Sequence, residues 1–523
     1  MYILNIKINQ RYYLLLLIAI YLCLQLPFLS TITRVWVDES WYANTAYNYA
    51  IGKGLVNTNV GGQGGDDLFG YTLLLGAFYK VFGASLLLSR LFSVLIGFGS
   101  LIGMFYILKR LEIRLNIIFI ICIMFIFSDV NYVIFRTVRP EAIVLFYLIW
   151  SFYFLITGIK ENSPTPLLFT GLSISFSFLC HPNGALFILL FGLYISIISF
   201  RKRNFNLFGA YIIGGVVVLI ILLYQVTFVK DQDFFEFISH LLTQERRFNQ
   251  SFYRNNNFKI SFLFFTFNYV KEFIGNYSLG IRRIFIFLFQ FGSLIAGIFY
   301  YKKNETAFSS AMIGLNYFII SIIVFHPFVL RAFGNVIFFA LIILAILLND
   351  LANNPKAKKL NVIYICAFIY LINNIASEAY VIAQDMKNTS YADIERKIAQ
   401  EIPDNKIVLT LLNFWFPVKN DDVYTEYTRW ENKEFKSLDD LLNSGKVDYI
   451  IISDYMINIE STTTGRNEKP CVLKKEKIFF DKVSNYAFSK GILIDKCFTN
   501  GYGEIKIYKM KIYASNNPVS KNR

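Results

Sequence analysis

Long apolar runs broken by short polar, often basic, connections dominate this chain, and their spacing predicts helices rather than strands. Runs near residues 12 to 30, 86 to 108, 115 to 133, 140 to 158, 164 to 180, 183 to 200, 206 to 228, 283 to 300, 307 to 325, 331 to 348 and 361 to 382 are each close to membrane-spanning length. At a rise of about 1.5 Å per residue, roughly 20 residues cross about 30 Å of hydrocarbon. The pattern therefore predicts an α-helical polytopic membrane protein with about eleven transmembrane helices. From about Gln384 the pattern changes. A helix-like Tyr391 to Glu401, a strand-like Lys406 to Leu412, a helix-like Leu438 to Asn443 and a strand-like Val447 to Ser453 predict a small α/β C-terminal domain over 383–523. Residues 1–382 are expected to form the membrane domain, with interfacial helices in a first loop at 31–85 and a large loop at 229–282.

The polar connections suggest the topology. With the N-terminus in the cytoplasm, the inner loops carry Lys109, Arg110 and Arg114; Lys160; Arg201, Lys202 and Arg203; Lys302 and Lys303; and Lys356, Lys358 and Lys359, as the positive-inside rule requires. The C-terminal domain is then extracytoplasmic. Composition agrees with a membrane protein: 55% of the 523 residues are hydrophobic and only 17% are charged, with mean hydropathy +0.47. The net charge of +15 is divided among these loops, which argues for topology and against nucleic acid as the partner. The first apolar run lacks a convincing cleavage site and reads as a retained anchor. Of six cysteines, Cys23, Cys122, Cys180 and Cys366 fall in apolar runs and read as packing residues. Cys471 and Cys497 lie in the tail, where a disulfide is an open alternative. No phosphate-loop or dinucleotide fingerprint and no internal repeat occur.

Under this topology, residues able to do chemistry gather on the extracytoplasmic face. V-D-E-S-W-Y at Val37 to Tyr42 puts Asp38 and Glu39 just beyond the first span. Nucleotide-activated donors are generally absent from that face, so a transferase there needs a donor already attached to lipid, such as a polyprenyl-phosphate sugar. Transfer requires a base for the acceptor hydroxyl and cations for the departing phosphate. Asp38 is the expected base. Glu39 is its helper, raising local proton affinity or binding the acceptor. Trp41 and Tyr42 are candidates to stack on a sugar, against the commoner role of anchoring at the interface.

F-R-T-V-R-P-E at Phe135 to Glu141 places Arg136 and Arg139 at a helix start; guanidinium matches phosphate through paired donors, although a simple helix start explains the same residues. His240, Arg246 and Arg247 in the large loop are further donor-phosphate candidates, with anionic lipid headgroups as the competing partner. Asp66 and Asp67 are candidates for substrate or for a divalent cation, the one cofactor the residues suggest. His181 is a substrate-binding candidate at a span end.

These segments resemble, in order and spacing, the GT-C superfamily of membrane glycosyltransferases, of the protein O-mannosyltransferase and lipid A aminoarabinose transferase type. The resemblance is carried by D-E-S-W-Y with the following A-Y-N-Y-A, by F-G-Y-T-L-L-L-G-A-F-Y-K-V-F-G-A-S leading to Ser89-Arg90-Leu91, by V-R-P-E and by L-C-H-P-N-G-A-L. It covers roughly residues 10 to 350. It implies inverting transfer from a polyprenyl-phosphate sugar to a lipid-linked glycan, a lipid A-like lipid or a protein, with Asp38 matching the family's acidic residue of the first loop. Where family members often carry a proline-containing motif, this chain has G-G-D-D-L-F-G. The expected setting is a bacterial plasma membrane, with membrane lipids as constant neighbours. The competing classes are a transporter or lipid flippase, expected to place ionisable residues near the bilayer midplane in repeated halves, and a non-catalytic scaffold that tolerates loss of Asp38.

Overall fold

A computed structural model describes residues 10–60, 68–229, 233–235, 237, 280–300, 302–324, 333–353, 359–428, 430, 433–454 and 470–511. Every apolar run marked in the sequence contains a helix: α1 (Gln10–Gln25), α4 (Leu86–Arg110), α5 (Leu115–Ile126), α7 (Glu141–Glu161), α8 (Pro164–Cys180), α9 (Gly184–Arg201), α10 (Phe205–Tyr224), α11 (Gly280–Phe299), α12 (Glu305–Val324), α13 (Phe333–Asn353) and α14 (Lys359–Asp385). Two helices of the first loop, α2 (Val37–Ala50) and α3 (Gly70–Phe82), lie between α1 and α4. Among the described residues six helices are long and apolar enough to cross a membrane, and shorter apolar helices include Gln10–Gln25, Leu115–Ile126 and Pro164–Cys180. The run expected over 115 to 133 is broken: α5 stops at Ile126 and a separate short α6 (Asp129–Ile134) follows. Ser128 and Asp129, at the break, favour a fresh helix start over continuation.

The chain divides into two compact units, one of Met1–Pro27, Asp67–Tyr71 and Leu91–Ile382, the other of Phe28–Asp66, Thr72–Arg90 and Ala383–Arg523. The first-loop residues, expected with the membrane part, thus fold largely with the tail.

In the first unit α8 and α10 approach closely where glycine removes the side chain. A Cβ on Gly171 of α8 would overlap the Tyr211 carbonyl of α10, and one on Gly214 of α10 would overlap the Leu168 carbonyl of α8. Small residues let backbones meet in an environment where dispersion, not water exclusion, drives helix association.

In the second unit the tail forms a five-stranded sheet in the order β2-β1-β3-β5-β4, with β1 (Ile407–Leu409), β2 (Asp422–Tyr424), β3 (Tyr449–Ser453), β4 (Gly491–Thr499) and β5 (Gly503–Met510). β1 runs parallel to β2 and β3, while β5 is antiparallel to both β3 and β4. All five residues of β3 are buried, as expected of a central strand covered on both faces. α15 (Tyr391–Glu401) buries Tyr391, Ile394 and Ile398, one stripe at helical spacing. α16 (Leu438–Ser444) starts on Ser437, whose hydroxyl accepts the Asp440 N–H. α17 (Pro470–Lys490) precedes the β4–β5 hairpin. Cys497 lies in β4, and the side chain of Cys471, its candidate disulfide partner, lies outside the described residues.

Gly171→Leu or Gly214→Leu should destabilise the protein by about 1–3 kcal/mol through forced separation of α8 from α10. Gly209→Ala on α10, where nothing lies within 4 Å of the added carbon, should be neutral or stabilising. Thermal unfolding in detergent checks both.

Candidate functional site

The first turn of α2 carries the two carboxylates singled out in the sequence, and burial separates them. Glu39 is fully buried. Its Oε1 accepts the Trp36 backbone N–H at 3.1 Å, closing the first turn of α2 in a capping-box arrangement. The same carboxylate meets Arg90 in paired geometry, Nε to Oε2 at 3.0 Å and Nη2 to Oε1 at 2.8 Å. Arg90 Nη1 also donates to the carbonyls of Leu29 and Ile32 at 2.9 and 3.2 Å. Glu39 is therefore held by Arg90 and by its own helix terminus. Asp38, about 100° further round the helix, is half-buried. Trp41 and Tyr42 are half-buried as well, and Trp41 meets Tyr427 edge-on with ring centroids 6.5 Å apart.

Arg90 received no role from the sequence, although it stands in a quoted motif. The legible signal was a lone arginine in the first turns of an apolar 25-residue helix, since charge inside a span persists only where it is paired or functional.

In the first unit, V-R-P-E and L-C-H-P-N-G come together. Arg139 donates to both oxygens of Glu141, Nη2 to Oε1 at 2.7 Å and Nε to Oε1 and Oε2 at 3.0 and 3.1 Å. Both charges also act on His181. Burial lowers the His181 pKa, with Glu141 opposing and Arg139 adding to the effect, and Nδ1 accepts the Asn183 N–H at 3.2 Å; the ring is neutral at pH 7. Arg136 differs from expectation. It is fully buried and donates to the carbonyls of Leu24, Gln25 and Pro27 at 3.3, 2.5 and 2.7 Å. Its guanidinium serves the carbonyl-rich end of α1, where helix geometry leaves acceptors without partners.

The sequence reading also passed over Asp129, whose Oδ2 accepts from Ser377 at 2.8 Å, and the neighbouring buried Glu378; each was a lone carboxylate in an apolar run. Asp66, Asp67, His240, Arg246 and Arg247 lie outside the described residues. Among the described residues no group of three or more His, Cys, Asp or Glu is arranged to hold a metal ion.

Replacing one partner of the Glu39–Arg90 pair, as Glu39→Gln or Arg90→Met, should cost about 3–5 kcal/mol, and the double variant should recover part of that loss. Melting temperatures of the purified variants test this. The His181 ring titrates lower in the folded protein than its ordinary value of about 6.5. Between those values the unfolded chain binds more protons, so stability falls as pH drops through that window. His181→Gln should flatten the pH dependence of melting below pH 6.5; an unchanged acid limb would refute the assignment.

A family model of dolichyl-phosphate-mannose-protein mannosyltransferases matches residues 69–226, less than half of the chain. Comparison with curated protein sequences finds no match. ArnT from Cupriavidus metallidurans, solved bound to undecaprenyl phosphate, superposes with a TM-score of 0.60 over 96% of this chain and 98% of that one, at 10% identity. The Archaeoglobus fulgidus oligosaccharyltransferase, solved with a tethered acceptor peptide containing an NVT sequon, gives 0.53 over 98% of this chain and 75% of that one, at 9% identity. The Saccharomyces cerevisiae protein O-mannosyltransferase Pmt1–Pmt2 complex, solved bound to the sugar donor, aligns at 15% identity and TM-score 0.37 over 43% of this chain, which spans 35% of that one. The resemblance read from the motifs is thus met in three dimensions: the chain has the GT-C fold of membrane glycosyltransferases.

Proposed function

We propose that this protein is a membrane glycosyltransferase that moves one sugar, a hexose or a pentose, from a polyprenyl-phosphate donor to an extracytoplasmic acceptor. The observation carrying this reading is the likeness to an enzyme solved with undecaprenyl phosphate over nearly the whole length of both chains, joined to a half-buried Asp38 on a helix start fixed by its neighbour Glu39. The acceptor is a lipid-linked glycan, a lipid A-like lipid or a protein. The orientation follows the basic loops: N-terminus in the cytoplasm of a bacterial cell, C-terminal sheet outside, about eleven helices in the plasma membrane.

In the reaction the acceptor oxygen attacks the anomeric carbon, the bond from that carbon to the phosphate oxygen breaks, and the polyprenyl phosphate leaves with the electron pair. Asp38 accepts the acceptor's proton. The configuration inverts. Arg139, oriented by Glu141, neutralises charge on the departing phosphate, a task suited to a planar guanidinium. Arg246, Arg247 and His240 are proposed to assist it. Trp41 and Tyr42 offer faces for a sugar ring, His181 a neutral imidazole for substrate, and Asp66 with Asp67 substrate contacts or a divalent cation.

Asp38→Asn should lower transfer by about 10²–10⁴-fold with expression and melting temperature unchanged. Mass spectrometry of lipid carriers and glycans from cells carrying the variant should show the lipid-phosphate sugar accumulating as it does without the gene. Full product formation by Asp38→Asn would remove Asp38 from the mechanism, and unchanged carriers on deleting the gene would favour a transporter or a scaffold.

A further inference from the structure

We infer that Asn413 and Tyr502, both far along the chain in the tail, are positioning residues for Asp38. The inference rests on the proposed role of Asp38 and concerns the peptide that feeds α2. Val35 is held at both of its backbone groups by side chains: its N–H donates to the Tyr502 hydroxyl at 2.8 Å, and its carbonyl accepts from Asn413 Nδ2 at 2.6 Å. All three residues are buried. A buried backbone must place both groups in hydrogen bonds; here two side chains from the tail fill the places that neighbouring strand or helix would ordinarily take.

The holders are themselves fixed. Asn413 sits in the one-turn helix Leu412–Phe414 that follows β1, and its own carbonyl accepts from the Tyr391 hydroxyl at 2.6 Å. Tyr502 lies in the β4–β5 turn between Gly501 and Gly503, whose φ values of +107° and +71° only glycine adopts without strain. Its ring packs on Phe414 and Tyr391, with centroids 5.3 and 6.4 Å away. The two side chains that grip Val35 therefore share one aromatic cluster, so the tail holds the main chain at a single point from two directions. The grip continues on either side. Arg34 Nη1 donates to the Gly501 carbonyl at 2.9 Å, and further along α2 the Tyr47 hydroxyl donates to Asn420 Oδ1 at 2.5 Å.

Asp38 is three residues beyond Val35, within about 10 Å of chain, and α2 begins between them. Moving Val35 moves the first turn of the helix and the carboxylate with it. A shift of about 1 Å in a reacting group costs on the order of 10²-fold in rate. The tail thereby contributes to the reaction without touching substrate.

The test uses the full-length protein in lipid nanodiscs. Tyr502→Phe removes one oxygen and Asn413→Ala one amide; each should lower kcat about 10–100-fold while KM for the polyprenyl-phosphate donor stays within about twofold and the protein remains folded at assay temperature. In an Asp38→Glu background, where the carboxylate is already displaced, adding Tyr502→Phe should cost less than about twofold, since coupled residues lose additivity. Wild-type kcat in both variants, equal losses in both backgrounds, or loss of activity only together with loss of fold would each overturn the inference. Asp38→Asn separates the layers. If it is inactive while Tyr502→Phe is normal, only the positioning claim fails; if it is active, the role of Asp38 fails first.

Discussion

The buried pair of Arg90 and Glu39 is the constraint from which the candidate site follows. A guanidinium and a carboxylate, both without exposure to solvent, are tolerable only when the geometry is close and the remaining hydrogen-bonding capacity is used. Here it is used: the carboxylate also caps α2, and the guanidinium also takes the carbonyls of Leu29 and Ile32. One ion pair thus ties together the start of α4, the start of α2 and the chain before it. Its net contribution to stability is small, because desolvating both ions offsets most of their attraction. What it contributes is direction, since turning either side chain away would leave a buried charge without its partner.

The first unit uses arginine in a related way. Arg136 spends its donors on the last carbonyls around α1, where a neutral side chain could satisfy at most part of the set. Arg139, three residues on, meets a carboxylate instead and retains partial exposure. Two arginines alike in the sequence are thereby divided by their partners, backbone carbonyls for one and a carboxylate for the other, just as burial divides Asp38 from Glu39.

The helices were legible because span length and hydropathy are local properties, and α15, α16, β1 and β3 were legible because short amphipathic or apolar runs stood between polar breaks. The partnerships were not. Glu39 and Arg90 lie 51 residues apart, and nothing in D-E says which carboxylate turns inward. β4 escaped notice because its burial pattern has no clean alternation, so it lacks the period-2 signal of a half-buried strand. The grouping of the first-loop residues with the tail rests on contacts between positions more than 350 apart, such as Ser30 with Ser390 and Val35 with Asn413; no local pattern encodes these.

α2 is an unusual helix to fix in place, for its buried face is largely polar: Glu39, Ser40, Asn44, Thr45 and Asn48 are all buried. Apolar burial alone would leave such a helix free to rotate or slide, because dispersion and water exclusion are nearly indifferent to small displacements. Hydrogen bonds are not indifferent. Asn44 Oδ1 accepts the Thr58 N–H at 2.8 Å, Asn48 donates to the Val56 carbonyl at 3.0 Å, and Asn57 donates to the Trp41 carbonyl at 3.1 Å. A rotation of α2 would strand several of these groups, each at a cost of about 1–3 kcal/mol. A helix held by directional bonds on its inner face, by an ion pair at its first turn and by two side chains on the residue before it gives up adaptability. In return the half-buried Asp38 stands on a helix whose rotation is restrained, which is the property the proposed proton acceptor needs.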